Sequence, residues 1–95
     1  MIKITEGKKR FVKRKLREES PTIWIGKKEA SPEVYKEVTK QLAKRKMVKV
    51  KILKTALAEC NAKEIAFRVA EQTEASLVEV RGHTFMLYKP RKISS

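Results

Sequence analysis

The sequence predicts an α/β fold, a two-layer sandwich built on a mixed four-stranded sheet, and two patterns support this prediction. Segments with an apolar residue at every third or fourth position, as in helices, alternate along the chain with short segments of period two, as in strands. The last two short segments flank Gly82-His83, which has the length and the leading glycine of a two-residue hairpin turn. The predicted order is helix, strand, helix, strand, helix, strand, strand (α-β-α-β-α-β-β). Strands separated by a helix are expected to run parallel, and the final pair antiparallel.

Three helices are predicted from their apolar stripes and their N-terminal capping residues. The first covers residues 5–19 and has Thr5 as its N-cap. The second begins at Ser31-Pro32, a hydroxyl cap followed by proline at the first helical position. The third begins at Asn61, which precedes Glu64 by the spacing of a capping box.

Four strands are predicted from alternation, at residues 22–25, 48–52, 77–81 and 84–88. In the second strand lysines occupy the positions between the apolar ones. One face of the sheet is therefore expected to be partly exposed to solvent, with the second and third helices covering the other face. Counting outward from the hairpin turn pairs Val80 with Phe85 and Val78 with Leu87, and puts all four on one face.

The length fits one domain, 1–95, with a basic leading helix at 5–19 and an α/β core at 22–90. Lysine and arginine together number 24 against 11 acidic residues, all of them glutamate, so the formal net charge is +13. This excess favours a polyanionic partner, because a ligand of opposite charge relieves the self-repulsion of so small a domain.

The same composition argues against several classes of protein. One cysteine and one histidine are too few for a zinc site within one chain, and Cys60 with His83 has no acidic partner in reach by sequence. Three glycines form no phosphate loop of the P-loop or dinucleotide type. No apolar segment approaches the roughly 20 residues of a membrane span, and the start lacks the apolar region of a secretory signal. We therefore expect a soluble cytoplasmic protein that is not an enzyme, with no cofactor, metal, membrane or small-molecule partner.

Three groups of basic residues are candidates for binding the polyanion. In the first helix, seven of ten consecutive positions are basic. The candidates there are Lys8, Lys9, Arg10, Lys13 and Arg14. After the first strand, Gly26 allows a close backbone approach, while Lys27 and Lys28 stand beside a helix N-terminus, where phosphate binds favourably. On the second strand, Lys49 and Lys51 point away from the core.

Four segments of the sequence together indicate a family. They are Ile25-Gly26-Lys27-Lys28, Ser31-Pro32-Glu33-Val34, Val48-Lys49-Val50-Lys51 and Arg81-Gly82-His83-Thr84-Phe85-Met86-Leu87-Tyr88-Lys89-Pro90. The chain resembles the CRM domain, the YhbY-like family, over nearly its whole length. This resemblance implies a fold like that of the C-terminal domain of bacterial translation initiation factor three. The family's loop reads GxxG, similar in kind to the backbone clamp of KH domains; here Glu29 replaces the second glycine, and Gly26, Lys27 and Lys28 match.

The resemblance also implies that the polyanion is RNA. Members of the family are RNA-binding domains of chloroplast splicing factors and of a small pre-ribosome-associated protein in bacteria and archaea. We therefore expect binding to structured ribosomal RNA, as pre-ribosomal RNA or in precursor particles, during assembly of the large subunit. The alternative is a small architectural DNA-binding protein, for which size and charge also suffice.

The aromatic side chains leave a choice open. Trp24 lies on the strand face opposite its isoleucine neighbours, where it could stack on a base or pack under the first helix against Phe11 and Leu16. Packing is favoured because a large apolar ring seldom stays bare, and Tyr88 is expected to pack in the same way.

Overall fold

The computed structural model describes residues 5–26, 32–57 and 61–89 of the chain. In this part of the chain the helices are α1 (Glu6–Arg17), α2 (Pro32–Arg45), α3 (Lys54–Leu57) and α4 (Ala62–Gln72). The strands are β1 (Ile23–Ile25), β2 (Met47–Ile52), β3 (Ser76–Arg81) and β4 (Thr84–Tyr88). None of these helices is both long enough and apolar enough to cross a membrane.

The four strands form one sheet in the order β1-β2-β4-β3. β1 and β2 are parallel, whereas β4 is antiparallel to both of its neighbours. The mixed sheet and the final hairpin are therefore confirmed. Gly82 opens the hairpin turn with a φ of 59°, a left-handed conformation that glycine adopts without a Cβ clash.

The main core lies between one face of the sheet and the helices α2 and α4, and these are the two predicted layers. Phe85 and Leu87 of β4 are fully buried in it, together with alternate residues of β2. The helices contribute Val38, Leu42, Ile65, Ala66, Val69 and Ala70. Asn61 caps α4 as predicted, since its side-chain oxygen accepts a hydrogen bond from the Glu64 N–H at 2.8 Å.

Helix α1 lies on the opposite face of the sheet, against β3, β4 and β2. Its buried residues Val12 and Leu16 form a second, smaller core with Val78, Met86 and Tyr88. Thr5 is the N-cap, as predicted, and its hydroxyl oxygen accepts a hydrogen bond from the Lys8 N–H at 3.1 Å. The packing expected for Tyr88 is present, because its side chain is only 8% exposed.

The predicted register of the hairpin holds next to the turn and fails beyond it. Val80 faces Phe85 as predicted, but Leu87 faces Leu77 instead of Val78. A bulge between Leu77 and Glu79 shifts the pairing, and Val78 turns toward α1 while Leu77 packs against the main core. The prediction failed because the alternation in β3 alone does not show that α1 offers an apolar surface on the second face.

Two other predictions about the elements need correction. The single turn α3 was not predicted, and α1 ends at Arg17, before the predicted boundary at residue 19. Helix α1 ends early because Glu18 caps it, with its N–H donating to the carbonyl oxygen of Leu16.

The favoured packing of Trp24 is wrong. Its side chain is 55% exposed, and Phe11, its predicted neighbour, is 47% exposed. β1 lies at one edge of the sheet, whereas α1 packs most closely on the hairpin strands at the other side. α1 therefore does not cover Trp24.

Candidate nucleic-acid interface

Positive charge is concentrated on the side of the molecule that carries α1. This helix has seven basic residues and one glutamate, whereas α2 and α4 together have six basic and four acidic residues. The stripe of Val12 and Leu16 holds α1 on the sheet, so most of its basic side chains point outward or sideways. A polyanion would therefore be attracted to this side of the protein far more than to the side of α2 and α4.

One row of side chains crosses the sheet beside α1. Trp24 on β1 is in register with Lys51 on β2, Lys51 with Thr84 on β4, and Thr84 with Arg81 on β3. Residues in register share a face of the sheet, so all four stand on the face that α1 only partly covers. Trp24, Lys51 and Arg81 are exposed, and Thr84 is half-buried. We call these four residues the cross-strand row.

An open cleft of about 190 Å³ separates α1 from the cross-strand row. It is lined by Lys13, Arg17, Lys49, Glu79, Arg81, Thr84 and Met86. Lys13 and Arg17 come from one flank of α1, being four residues apart, and Arg81 faces them from β3. The helix and the sheet thus direct cations into the same space.

Five cations on the cleft-facing and outer sides of α1 and on the cross-strand row are exposed and form no ion pair with any described residue, and two of them, Arg17 and Arg81, line the cleft. The five are Arg10, Arg14, Arg17, Lys51 and Arg81. Lys13 differs, because its ammonium lies 3.7 Å from a carboxylate oxygen of Glu79. The unpaired cations repel one another, and phosphate oxygens placed between them would remove that repulsion and accept hydrogen bonds.

Lys49 has a structural role that its outward position on β2 did not reveal. Its ammonium donates hydrogen bonds to the carbonyl oxygens of Leu16 at 3.1 Å and Glu19 at 3.0 Å. These carbonyls lie at the C-terminal end of α1, where the helix dipole favours a cation. Lys49 therefore fastens α1 to the sheet, and its charge is already used within the protein.

Lys8 and Lys9, also named as candidates, lie away from the cross-strand row or are paired. Lys8 is nine residues before Arg17, which puts it on roughly the opposite side of α1 at about 100° per residue. Its ammonium is 5.7 Å from the ring centroids of both Phe11 and Tyr88. The ammonium of Lys9 lies 3.9 Å from Glu6.

The end of the sheet near the cross-strand row also brings two connections together. The Leu53 N–H donates to the Ile25 carbonyl at 2.8 Å, and the Ile52 N–H donates to the His83 carbonyl at 2.6 Å. The end of β1, the end of β2 and the hairpin turn are therefore neighbours. The exposed His83 lies at this end of the sheet, together with the start of the loop that follows β1.

Of the loop candidates, only Gly26 is within the described residues; Lys27 and Lys28 lie outside them. Gly26 is half-buried, and a Cβ added to it would lie 3.8 Å from the Leu53 side chain, an ordinary contact. Packing within the described structure does not by itself require glycine at this position.

Arg17, Arg81 and Thr84 line the cleft but were not among the predicted binding residues. Two signals in the sequence pointed to them. Arg17 follows Lys13 by one helical turn, and Arg81 and Thr84 directly flank the two-residue hairpin turn, which puts them opposite each other.

The fold and this surface are those of a small basic α/β domain, and comparison with known proteins identifies its family. Residues 4–89 match the family model of the CRS1 / YhbY (CRM) domain. The chain belongs to this family.

Two proteins and one solved structure are similar over most of the chain. The chain is 40% identical over 90 residues to the probable RNA-binding protein MJ0652 of Methanocaldococcus jannaschii, a match that covers 95% of this chain and 66% of that protein. It is 27% identical over 89 residues to the probable RNA-binding protein YqeI of Bacillus subtilis, covering 94% and 91% of the two chains. The solution structure of SAV1595 from Staphylococcus aureus, described as a candidate RNA-binding protein, superposes with a TM-score of 0.78 at 26% identity, covering 98% of this chain and 95% of that one. The chain thus spans about two thirds of the archaeal relative and nearly all of the other two.

The contrast between Lys49 and Lys51 gives a matched test of the site geometry. Lys49→Met keeps the aliphatic stem but removes both hydrogen bonds that tie the end of α1 to β2, so we expect the free energy of unfolding to fall by about 1–2 kcal/mol. Lys51→Met removes the same charge from the same strand and should change it by less than about 0.5 kcal/mol. Denaturant unfolding of both variants measures the difference, and equal stabilities would contradict the role given to Lys49.

Proposed function

We propose that this chain is an RNA-binding protein and that it acts by binding, without catalysis. The main observation is that Arg17 of α1 and Arg81 of the cross-strand row, both unpaired with any described residue, line the same cleft. Arg10 and Arg14 of the same helix and Lys51 of the same row add exposed positive charge. The names of both curated relatives, which describe RNA-binding proteins, support the choice of polyanion.

In the proposed complex the phosphate backbone follows the cleft. Arg10, Arg14 and Arg17 lie along one side of α1, where guanidinium groups can each bind phosphate oxygens through two hydrogen bonds. Lys51 and Arg81 contact the backbone from the sheet. This arrangement holds the RNA on a rigid surface, because both α1 and the strands are anchored by buried residues.

The loop after β1 is proposed to add a second backbone contact. Gly26 begins this loop at the same end of the sheet as the cross-strand row, and α2 begins at Pro32 on its other side. Lys27 and Lys28 would stand near the N-terminus of α2, whose dipole favours phosphate. The glycine would then serve the approach of the RNA backbone, since contacts in the described structure do not demand it.

We further propose that the RNA is structured ribosomal RNA and that binding takes place during assembly of the large ribosomal subunit. Membership in the CRM family supports this, through the resemblance to a small pre-ribosome-associated protein.

Binding should prefer RNA to DNA and should weaken steeply with salt. If about five phosphates are contacted by the five unpaired cations, log K against log salt should have a slope between about −3.5 and −4.5. Fluorescence anisotropy with an RNA stem-loop over a range of salt concentrations measures the slope. The same measurement with a DNA hairpin of the same sequence, at one of these salt concentrations, measures the preference for RNA. Equal or tighter binding of the DNA would favour the architectural DNA-binding alternative.

Two variants that lose the same charge on different sides of the protein test which surface produces the salt dependence of binding. Replacing Arg10, Arg14 and Arg17 with Gln should make the slope less negative by about 2–3, because each lost phosphate contact removes roughly 0.7–0.9. Replacing the exposed Lys36, Lys40 and Lys44 of α2 with Gln removes the same charge from the opposite side and should leave the slope nearly unchanged. Equal effects of the two replacements would contradict the proposed surface.

The ribosomal part of the proposal has its own test. Ultraviolet crosslinking in cells, followed by sequencing of the attached RNA, should recover large-subunit ribosomal RNA and its precursors above their level in a control without crosslinking. Recovery of messenger or transfer RNA in their place would contradict the ribosomal role and leave RNA binding standing.

A further inference from the structure

We propose that Trp24 is a stacking platform for an unpaired base, so that the preferred ligand is an RNA duplex interrupted by an unpaired nucleotide. This inference rests on the proposed RNA binding and specifies the class of RNA. It assigns to Trp24 a role that backbone contacts alone do not require.

Trp24 is exposed, although exposure of its side chain does not stabilise the fold. β1 is a three-residue edge strand whose isoleucines, Ile23 and Ile25, are buried in the main core while the indole between them is 55% exposed. Among the described residues, Trp24 has the highest exposed fraction of the exposed large apolar side chains. A polar residue would pair with β2 equally well at this position and would avoid exposing a large apolar surface.

The surroundings of Trp24 match a nucleotide better than a protein or a lipid. Lys51 stands next to it in register on β2, and Arg81 lies at the far end of the same row. Both cations are exposed and unpaired with any described residue, as shown above. A protein surface of ordinary composition would bury these charges without a partner, whereas a nucleotide offers a flat base for the indole and phosphates for the cations.

The spacing of the row suits a single displaced base next to a backbone. Neighbouring strands lie about 4.8 Å apart, so the four strands set Trp24 and Arg81 roughly 14 Å apart. When a base stacks on Trp24 at one edge of the sheet, the rest of the cross-strand row is free to bind the phosphates of the adjoining duplex. The cations of α1, on the other side of the cleft, are free to bind them as well. Proteins read RNA mainly at such unpaired nucleotides, because the major groove of an RNA duplex is too deep and narrow for side chains.

A protein of this composition allows a direct test, because Trp24 is its only tryptophan and its fluorescence therefore reports from this position. The probes are two blunt RNA duplexes of equal length, one fully paired and one with a single bulged nucleotide. We expect the bulged duplex to quench the tryptophan fluorescence at saturation, and the fully paired duplex to quench it far less.

Variants of Trp24 test its contribution to binding affinity, which is measured by the fluorescence anisotropy of labelled RNA. Trp24→Ala should weaken binding of the bulged duplex by about fivefold or more and leave the fully paired duplex nearly unaffected. Trp24→Phe should retain most of the affinity, because it keeps a ring. Phe67→Ala, which removes an exposed ring from α4, should change neither. Thermal melts check that all variants are folded, and if Trp24→Ala does not fold, Trp24→Phe and the fluorescence of the parent protein decide.

The outcomes separate this inference from the proposed function. If both duplexes bind but neither quenches Trp24, or if Trp24→Ala weakens both equally, base stacking is refuted and RNA binding stands. If neither duplex nor any stem-loop binds, the proposed function fails, and the inference fails with it. Preference for the bulged duplex that disappears in Trp24→Ala and persists in Trp24→Phe supports the inference.

Discussion

The docking of α1 on the second face of the sheet determines which basic side chains are exposed beside the cross-strand row. Val12 and Leu16 supply the apolar contact with Val78, Met86 and Tyr88, and Lys49 ties the C-terminal end of the helix to β2. This small core has to hold in place a helix whose charges repel one another. Burial of these few side chains, each worth about 1.5–3 kcal/mol, is the main term available for that purpose.

The position of α1 decides which charges remain available to a ligand. The helix covers the part of the face that carries Met86 and Tyr88 and leaves the cross-strand row open to solvent. Lys13 and Arg17 of one flank then line the cleft that the row borders. On the other flank the ammonium of Lys8 lies close to two aromatic rings, an arrangement worth about 0.5–1 kcal/mol at an exposed site. One docking geometry thus gives the basic helix one flank that faces the cleft and another flank whose Lys8 lies near aromatic rings.

Local patterns in the sequence predicted the elements, and contacts distant in sequence decided the rest. The caps at Thr5 and Asn61 and the pairing of Val80 with Phe85 depend on residues within a few positions, and all three were predicted correctly. The placement of Val78 and the exposure of Trp24 depend on where α1 lies, which no local pattern contains. Lys49 and Lys51 show the same limit, since alternation makes them equivalent while only one lies under the end of α1.

The most direct test of the proposed binding surface is nuclear magnetic resonance mapping of the isotope-labelled protein titrated with an RNA stem-loop. If RNA binds at this surface, the largest shift changes should occur at the Trp24 indole N–H, at the amides of residues 81–84 and along residues 10–17, with small changes in α2 and α4. Changes concentrated in α2 and α4, with the cross-strand row unaffected, would contradict it.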